Sequence, residues 1–159
     1  MLNIHSLFIK IRSSVLVHLT HNLALPFLKF LRKPEVFPYT ESQLLGFPAG
    51  TLGNDLINYL LRRQLKLLPY YVRHDIKHIL LDYDTTDKGE VCLQCFMLGN
   101  RHVSFPVIAT VFYGMLTMPE YFASFRKAFL RGRKCDAISD FKWFEILHCY
   151  TSDIKKFIK

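Results

Sequence analysis

Apolar side chains return every three to four residues along much of this chain, the spacing of helices with one buried face. Leu52, Leu56 and Leu60 form one such stripe with Ile57, Leu61 and Leu65, while Asn54, Asn58, Arg62 and Lys66 take the other side. The stripe follows the turn-rich segment Gly46-Phe47-Pro48-Ala49-Gly50, and Pro69 interrupts it. Residues 70–81 read as the next helix, with Val72, Ile76, Ile79 and Leu80 available for packing. Asp82 to Gly89 carries loop signals throughout, so a further helix is predicted to open at Glu90 and stop near Gly99-Asn100.

From His102 to Pro119 the chain holds no Asp, Glu, Lys or Arg. That run is marginal against the roughly 20 residues a bilayer span needs. Pro106 and Gly114 also interrupt it, so a buried central helix is the better expectation. Pro119-Glu120 suits a helix opening, and the helix it starts is predicted to end near Gly132. Residues 135–149 and 152–158 supply one or two more. There is neither sustained period-two alternation nor an Asn-Gly hairpin turn. The predicted fold class is all-α, a compact multi-helix domain.

At 159 residues, half of them hydrophobic, the chain suits one domain and is too apolar for disorder. The domain is expected over residues 41–159, with 1–40 set apart as a basic amphipathic helical segment. Residues 1–34 contain Lys10, Arg12, Lys29, Arg32 and Lys33 and no acidic residue. Such a segment suits the anionic face of a membrane, an organelle transit peptide, or an ordinary first helix ended near Pro26. His18 and His21, three apart in it, read as surface or core residues. The net charge of +8 favours acidic partners. No nucleic-acid motif accompanies it, so no nucleic-acid partner is expected and the charge reads as membrane-facing or solubilising. Cys92 and Cys95 lack a second Cys-x-x-Cys to complete a zinc ribbon and read as small buried hydrophobes. With no secretory signal standing out, a reducing cytoplasmic setting is the default.

The chemically informative segment is His74-Asp75-Ile76-Lys77-His78. At about 100° per residue, His74 and His78 lie about 40° apart, one turn above the other, and Asp75 falls about 60° from His78. The three project into one arc, as the two histidines of helical zinc sites do. Glu90 is placed to join them, because the polar loop lets its helix fold back against theirs. Two imidazoles and two carboxylates suit a divalent cation, zinc first, with iron or manganese as alternatives. The plainer reading is a pair of satisfied histidines with Asp75 orienting His78. No glutamate follows His74, which disfavours a zincin protease. Asp82, Asp84 and Asp87 sketch a calcium loop, but the glycine and glutamate are misplaced for an EF-hand, and no phosphate-binding or nucleophile-elbow motif is present.

His74-Asp75-x-x-His78, eleven intervening residues and Glu90 resemble the signature of the coenzyme Q (ubiquinone) biosynthesis protein 4 family. Phe47-Pro48-Ala49-Gly50-Thr51-Leu52-Gly53 is similar to that family's Pro-x-Gly-Thr-Leu-Gly stretch, and Arg131-Gly132 with Trp143-x-Glu145 to its C-terminal segment. The chain departs from the family at Ile76-Lys77, where aromatic residues are usual, and in a shorter N-terminal half. The resemblance implies an all-α protein holding a divalent metal, usually zinc, through His74, Asp75, His78 and Glu90. It also implies peripheral membrane contact, on the cytoplasmic side of a bacterial inner membrane or the matrix side of the mitochondrial one. The substrate would be a prenylated quinone precursor or a prenyl phosphate, held with its chain in an apolar groove. The reaction associated with the family replaces the ring carboxyl at C1 by a hydroxyl, an oxidative decarboxylation. The family is also considered an organiser of the other quinone-biosynthesis enzymes, and a homodimer is a further expectation. Phe105, Ile108, Phe112, Phe122 and Phe125 are the candidates for the isoprenoid groove, with core packing as the plainer alternative. Lys77 is the candidate partner of an anionic head group. Rival functions are a non-catalytic lipid-binding scaffold and a metal-dependent hydrolase of lipid phosphates.

Overall fold

A computed structural model describes residues 4–18 and 36–158, and every statement of structure below concerns these residues. They form eight α-helices: α1 Ile4–His18, α2 Glu41–Leu45, α3 Leu52–Arg62, α4 Val72–Leu81, α5 Asp87–Gly99, α6 Phe105–Thr117, α7 Phe122–Lys134 and α8 Thr151–Phe157. There is no β-strand among them, only one isolated bridge between Thr51 and Tyr150. The all-α expectation holds.

Helix α5 is the centre. Val91, Cys92, Leu93, Cys95, Phe96 and Met97 are all buried, so its apolar surface runs almost all the way round. α7 and α6 pack against it, and α4 contacts the same helix. The α5–α7 approach is close enough to exclude side chains. A Cβ on Gly99 would lie 2.1 Å from the Phe129 carbonyl oxygen, and one on Gly132 2.1 Å from that of Phe96. Gly132 therefore sits inside α7, which runs on to Lys134, rather than ending it. Just beyond α5, buried Asn100 donates through Nδ2 to the carbonyls of Gly132, Cys135 and Asp136 and accepts from the Ile138 amide. Those bonds fix the turn after α7. Residues 135–149 then run as short 3₁₀ turns, not the α-helix expected there.

Three further boundaries differ from expectation. α5 opens at Asp87 because the Thr86 hydroxyl caps it, accepting from the Gly89 amide at 3.2 Å. α2 was not foreseen, although Thr40 and Gln43 make a capping box at its start. In α3, Leu52, Leu56, Ile57 and Leu60 are buried as the stripe predicts, but Leu61 is exposed and Leu65 lies beyond the helix end, also exposed.

α6 is not a buried central helix. Val107 and Gly114 are its buried residues, and Gly114 lets it close on Val91 of α5. Phe105, Phe112 and Leu116 are 64 to 69% exposed, and Ile108 and Met115 also face outward. α1 packs against α6 through a polar latch. Arg12, buried, donates to the Thr117 carbonyl and to Glu120 at 2.7 Å, Ser13 bonds Asp87, and Tyr113 donates to the Arg12 carbonyl. Leu7, Ile9, Ile11 and Val15 of α1 are exposed. No described helix is long and apolar enough to cross a membrane. His21, Pro26, Lys29, Arg32 and Lys33 lie outside the described residues.

Candidate metal centre

α4 and α5 are joined by the short loop 82–86, in which Asp82 takes a left-handed conformation (φ 58°) that ends α4 and turns the chain back. The Asp84 carboxylate accepts from the Thr86 amide, which positions the α5 cap. This reversal sets Glu90, in the first turn of α5, opposite His74 and His78 on α4. One ligand atom from each of the three lies within 4.8 Å of the others. His74 Nε2 is 3.2 Å from Glu90 Oε2, His78 Nε2 is 3.0 Å from Oε1, and the two Nε2 atoms are 3.0 Å apart.

Tyr83 defines the tautomer of His78. Its carbonyl oxygen is 2.9 Å from His78 Nδ1 and can only accept, so Nδ1 carries hydrogen. In the neutral ring, Nε2 then presents a lone pair to the Glu90 carboxylate and to His74. With Nδ1 already carrying hydrogen, the 3.0 Å contact between His78 Nε2 and Glu90 Oε1 calls for a proton or a metal ion between the two atoms. Without metal a proton takes that place. Burial alone would raise the Glu90 pKa, but hydrogen bonds and charge from His74 and His78 outweigh it and hold the carboxyl at about 2. Burial opposes the charged form of His78, yet the bond to Glu90 and its negative charge raise that pKa overall.

A metal fits the same positions. Bonds of about 2.0–2.2 Å to tetrahedrally arranged donors set those donors about 3.3 Å apart; the two Nε2 atoms are 3.0 Å apart, and each histidine is 3.0–3.2 Å from a different oxygen of Glu90. Two imidazoles and a carboxylate are a donor set known from zinc sites that keep one position open. The Nδ1–H bond to a backbone carbonyl is the outer contact that metal-bound histidines usually make.

Asp75 is brought beside this group but not into it. It is buried on α4, and its carboxylate is not among the three converging donors. Burial, only partly offset by His74 and His78 and reinforced by Glu90, raises its pKa to about 6. Lys77 is half-buried, with Nζ 5.6 Å from the centre of the buried Trp143 ring. Of the groove candidates, Phe105, Ile108, Phe112 and Phe122 are exposed, whereas Phe125 is 2% exposed and belongs to the core. Two contributors have no sequence signal of their own kind: Tyr83, which acts through its backbone, and Tyr71, whose ring lies 5.0 Å from that of His74. Tyr71 precedes His74 by three residues, the interval at which helical side chains meet. Cys92 and Cys95 are free, buried thiols, as expected.

No protein-family model matches the chain, and no curated protein matches it. Among solved structures it is similar to the crystal structure of a "putative ubiquinone biosynthesis protein" from Nostoc punctiforme PCC 73102. The TM-score is 0.60 at 21% sequence identity, over 95% of this chain and 80% of that one. At that identity the likeness shows a shared fold.

Proposed function

We propose that this chain binds a divalent cation, zinc by preference, through His74, His78 and Glu90 and acts on the polar head of a prenylated aromatic precursor of ubiquinone or a related quinone. The observation that carries the reading is the three-donor cluster, whose ligand atoms converge closely enough between α4 and α5 to share one divalent cation. Two further observations support it. The spacing from His74 to Glu90 resembles that of the coenzyme Q biosynthesis protein 4 family, and the fold is shared with a protein named for ubiquinone biosynthesis.

When bound, such a cation supplies Lewis acidity toward a carboxylate or phenol oxygen. The protein's own groups do the rest. His74, His78 and Glu90 would hold the cation, and three protein ligands would leave room for a substrate oxygen, while Tyr83 holds His78 in the tautomer that offers Nε2. Asp75, buried beside them, gains from any added positive charge in the cluster. Zinc is redox-inert, so replacing a ring carboxyl by a hydroxyl requires dioxygen or an oxidising partner. The exposed apolar face of α6, with Phe105, Ile108 and Phe112, and Phe122 at the start of α7 suit a prenyl chain or a membrane surface. The proposal places the protein on the cytoplasmic face of a bacterial inner membrane or the matrix face of the mitochondrial one. There it would meet other quinone-biosynthesis enzymes or a second copy of itself.

Native mass spectrometry of the purified chain tests this reading. One divalent metal and a co-purified prenylated aromatic are expected, both lost in His74→Ala/His78→Ala. Metal undiminished in that variant would contradict it.

A further inference from the structure

A half-open cleft of about 340 Å³ lies between α5 and α7, roofed by the loop after α4. It opens on the face of α5 away from Glu90: Lys88 and Cys92 line it, each about 200° round the helix from that residue. α7 contributes Ser124, Lys127 and Arg131, spaced three and four apart and so on one face.

The charges in the cleft do not cancel. Asp82 pairs with Lys155 and Asp84 accepts from the neutral amide and hydroxyl of Thr86, so Lys88, Lys127, Arg131 and Lys155 exceed the two acids by two positive charges. Lys88, Lys127 and Arg131 have no carboxylate partner among the described residues. Lys88 Nζ lies 5.1 Å from the Tyr121 ring centre. Arg131 donates to the Leu81 carbonyl at 2.6 Å, with its guanidinium carbon 5.6 Å and 5.4 Å from the ring centres of Tyr83 and Phe96. That guanidinium is fixed before any ligand arrives, which lowers the ordering cost of binding. A lone carboxylate would balance one of these two excess charges, whereas a phosphate carries close to two negative charges at neutral pH.

We propose that this cleft binds a phosphate group, free or as a phosphate monoester head group, with Arg131, Lys127 and Lys88 as charge partners and Ser124 as a hydroxyl donor. The site is separate from the metal centre, although Tyr83 touches both. Its carbonyl receives the His78 Nδ1 hydrogen and its ring lies under Arg131. The proposal does not depend on the metal.

The test is calorimetric titration with inorganic phosphate at low salt, with flotation on phosphatidylcholine vesicles with and without phosphatidic acid. Three proteins are compared: wild type, Lys88→Gln/Lys127→Gln and His74→Ala/His78→Ala. Saturable binding is expected, weakened by added salt and by at least about tenfold in the lysine variant, but retained in the histidine variant. Binding of inorganic phosphate identifies a free anion, and binding confined to phosphatidic acid vesicles identifies a lipid head group. Either supports the cleft if the lysine variant loses it. No binding in either arm, equal binding by the lysine variant, or loss in the histidine variant alone would overturn the proposal.

Discussion

Asp75 gives the sharpest quantitative handle on the cluster. Its carboxyl is raised from 3.8 to about 6, chiefly because burial penalises the charged form. The native state therefore holds this proton to higher pH than the unfolded chain does. Between pH 3.8 and about 6 the folded form binds more protons, and the group's contribution to stability falls as pH rises through that window. Above it the deficit is complete. A shift of about two units corresponds to about 3 kcal/mol at pH 7.5. Asparagine has nearly the same shape and no charge, so Asp75→Asn should recover about that much in metal-free protein. The gain should shrink to near zero at pH 4, where the aspartate is already largely protonated in the native state. It should also shrink at pH 7.5 once metal is bound, because the cation offsets the carboxylate. Urea denaturation of both proteins, chelator-treated and zinc-loaded, at pH 4, 5.5 and 7.5 would measure all three. An Asp75→Asn protein no more stable than wild type at pH 7.5, or a difference independent of pH, would refute the reasoning.

Other consequences are as direct. Gly132→Ala forces a methyl to 2.1 Å from the Phe96 carbonyl oxygen, so it should cost about 1–3 kcal/mol or more by overpacking. Thermal denaturation reads this out, and an unchanged melting temperature would contradict it. Asn100→Ala strands the Ile138 amide and removes the donor shared by three carbonyls. A loss of about 2–4 kcal/mol is expected, with hydrogen exchange accelerated first at Ile138. Zinc must displace the proton that Glu90 stabilises on His78, whose pKa is raised in metal-free protein. Zinc affinity should therefore fall as pH is lowered from 8 to 6, approaching about tenfold per pH unit for each proton displaced. A chromophoric chelator competition would show it, and a flat profile would count against the site.

Legibility in the sequence followed the physics of each element. α3 and α4 stood out because one face of each is apolar and the other polar, so periodicity alone located them. α6 misled because it is apolar all round. An unpartnered apolar face and a buried one have the same composition, and only packing shows that Phe105 and Phe112 face outward while Val107 and Gly114 meet α5. The start of α5 was placed three residues late because Thr86, its cap, sits within a polar run that otherwise reads as loop. In the site, His74, His78 and Glu90 were legible because helical spacing fixes the first two and a short loop limits where the third can go. Helical angle and the family resemblance both group Asp75 with them. One residue on from His74 it is turned about 100° round the helix, enough to bury it beside the cluster and outside the three converging donors. Phe125 could be told from its exposed neighbour Phe122 only once α7 was seated on the core.

The central claim is that a cation belongs among His74, His78 and Glu90. X-ray absorption at the zinc edge of the zinc-loaded protein tests it most directly, because it reports the atoms bound to the metal. The account predicts a four-coordinate shell of nitrogen and oxygen at about 2.0–2.1 Å, with the multiple scattering of two imidazoles. A sulfur shell at about 2.3 Å, or one lacking imidazole scattering, would contradict it.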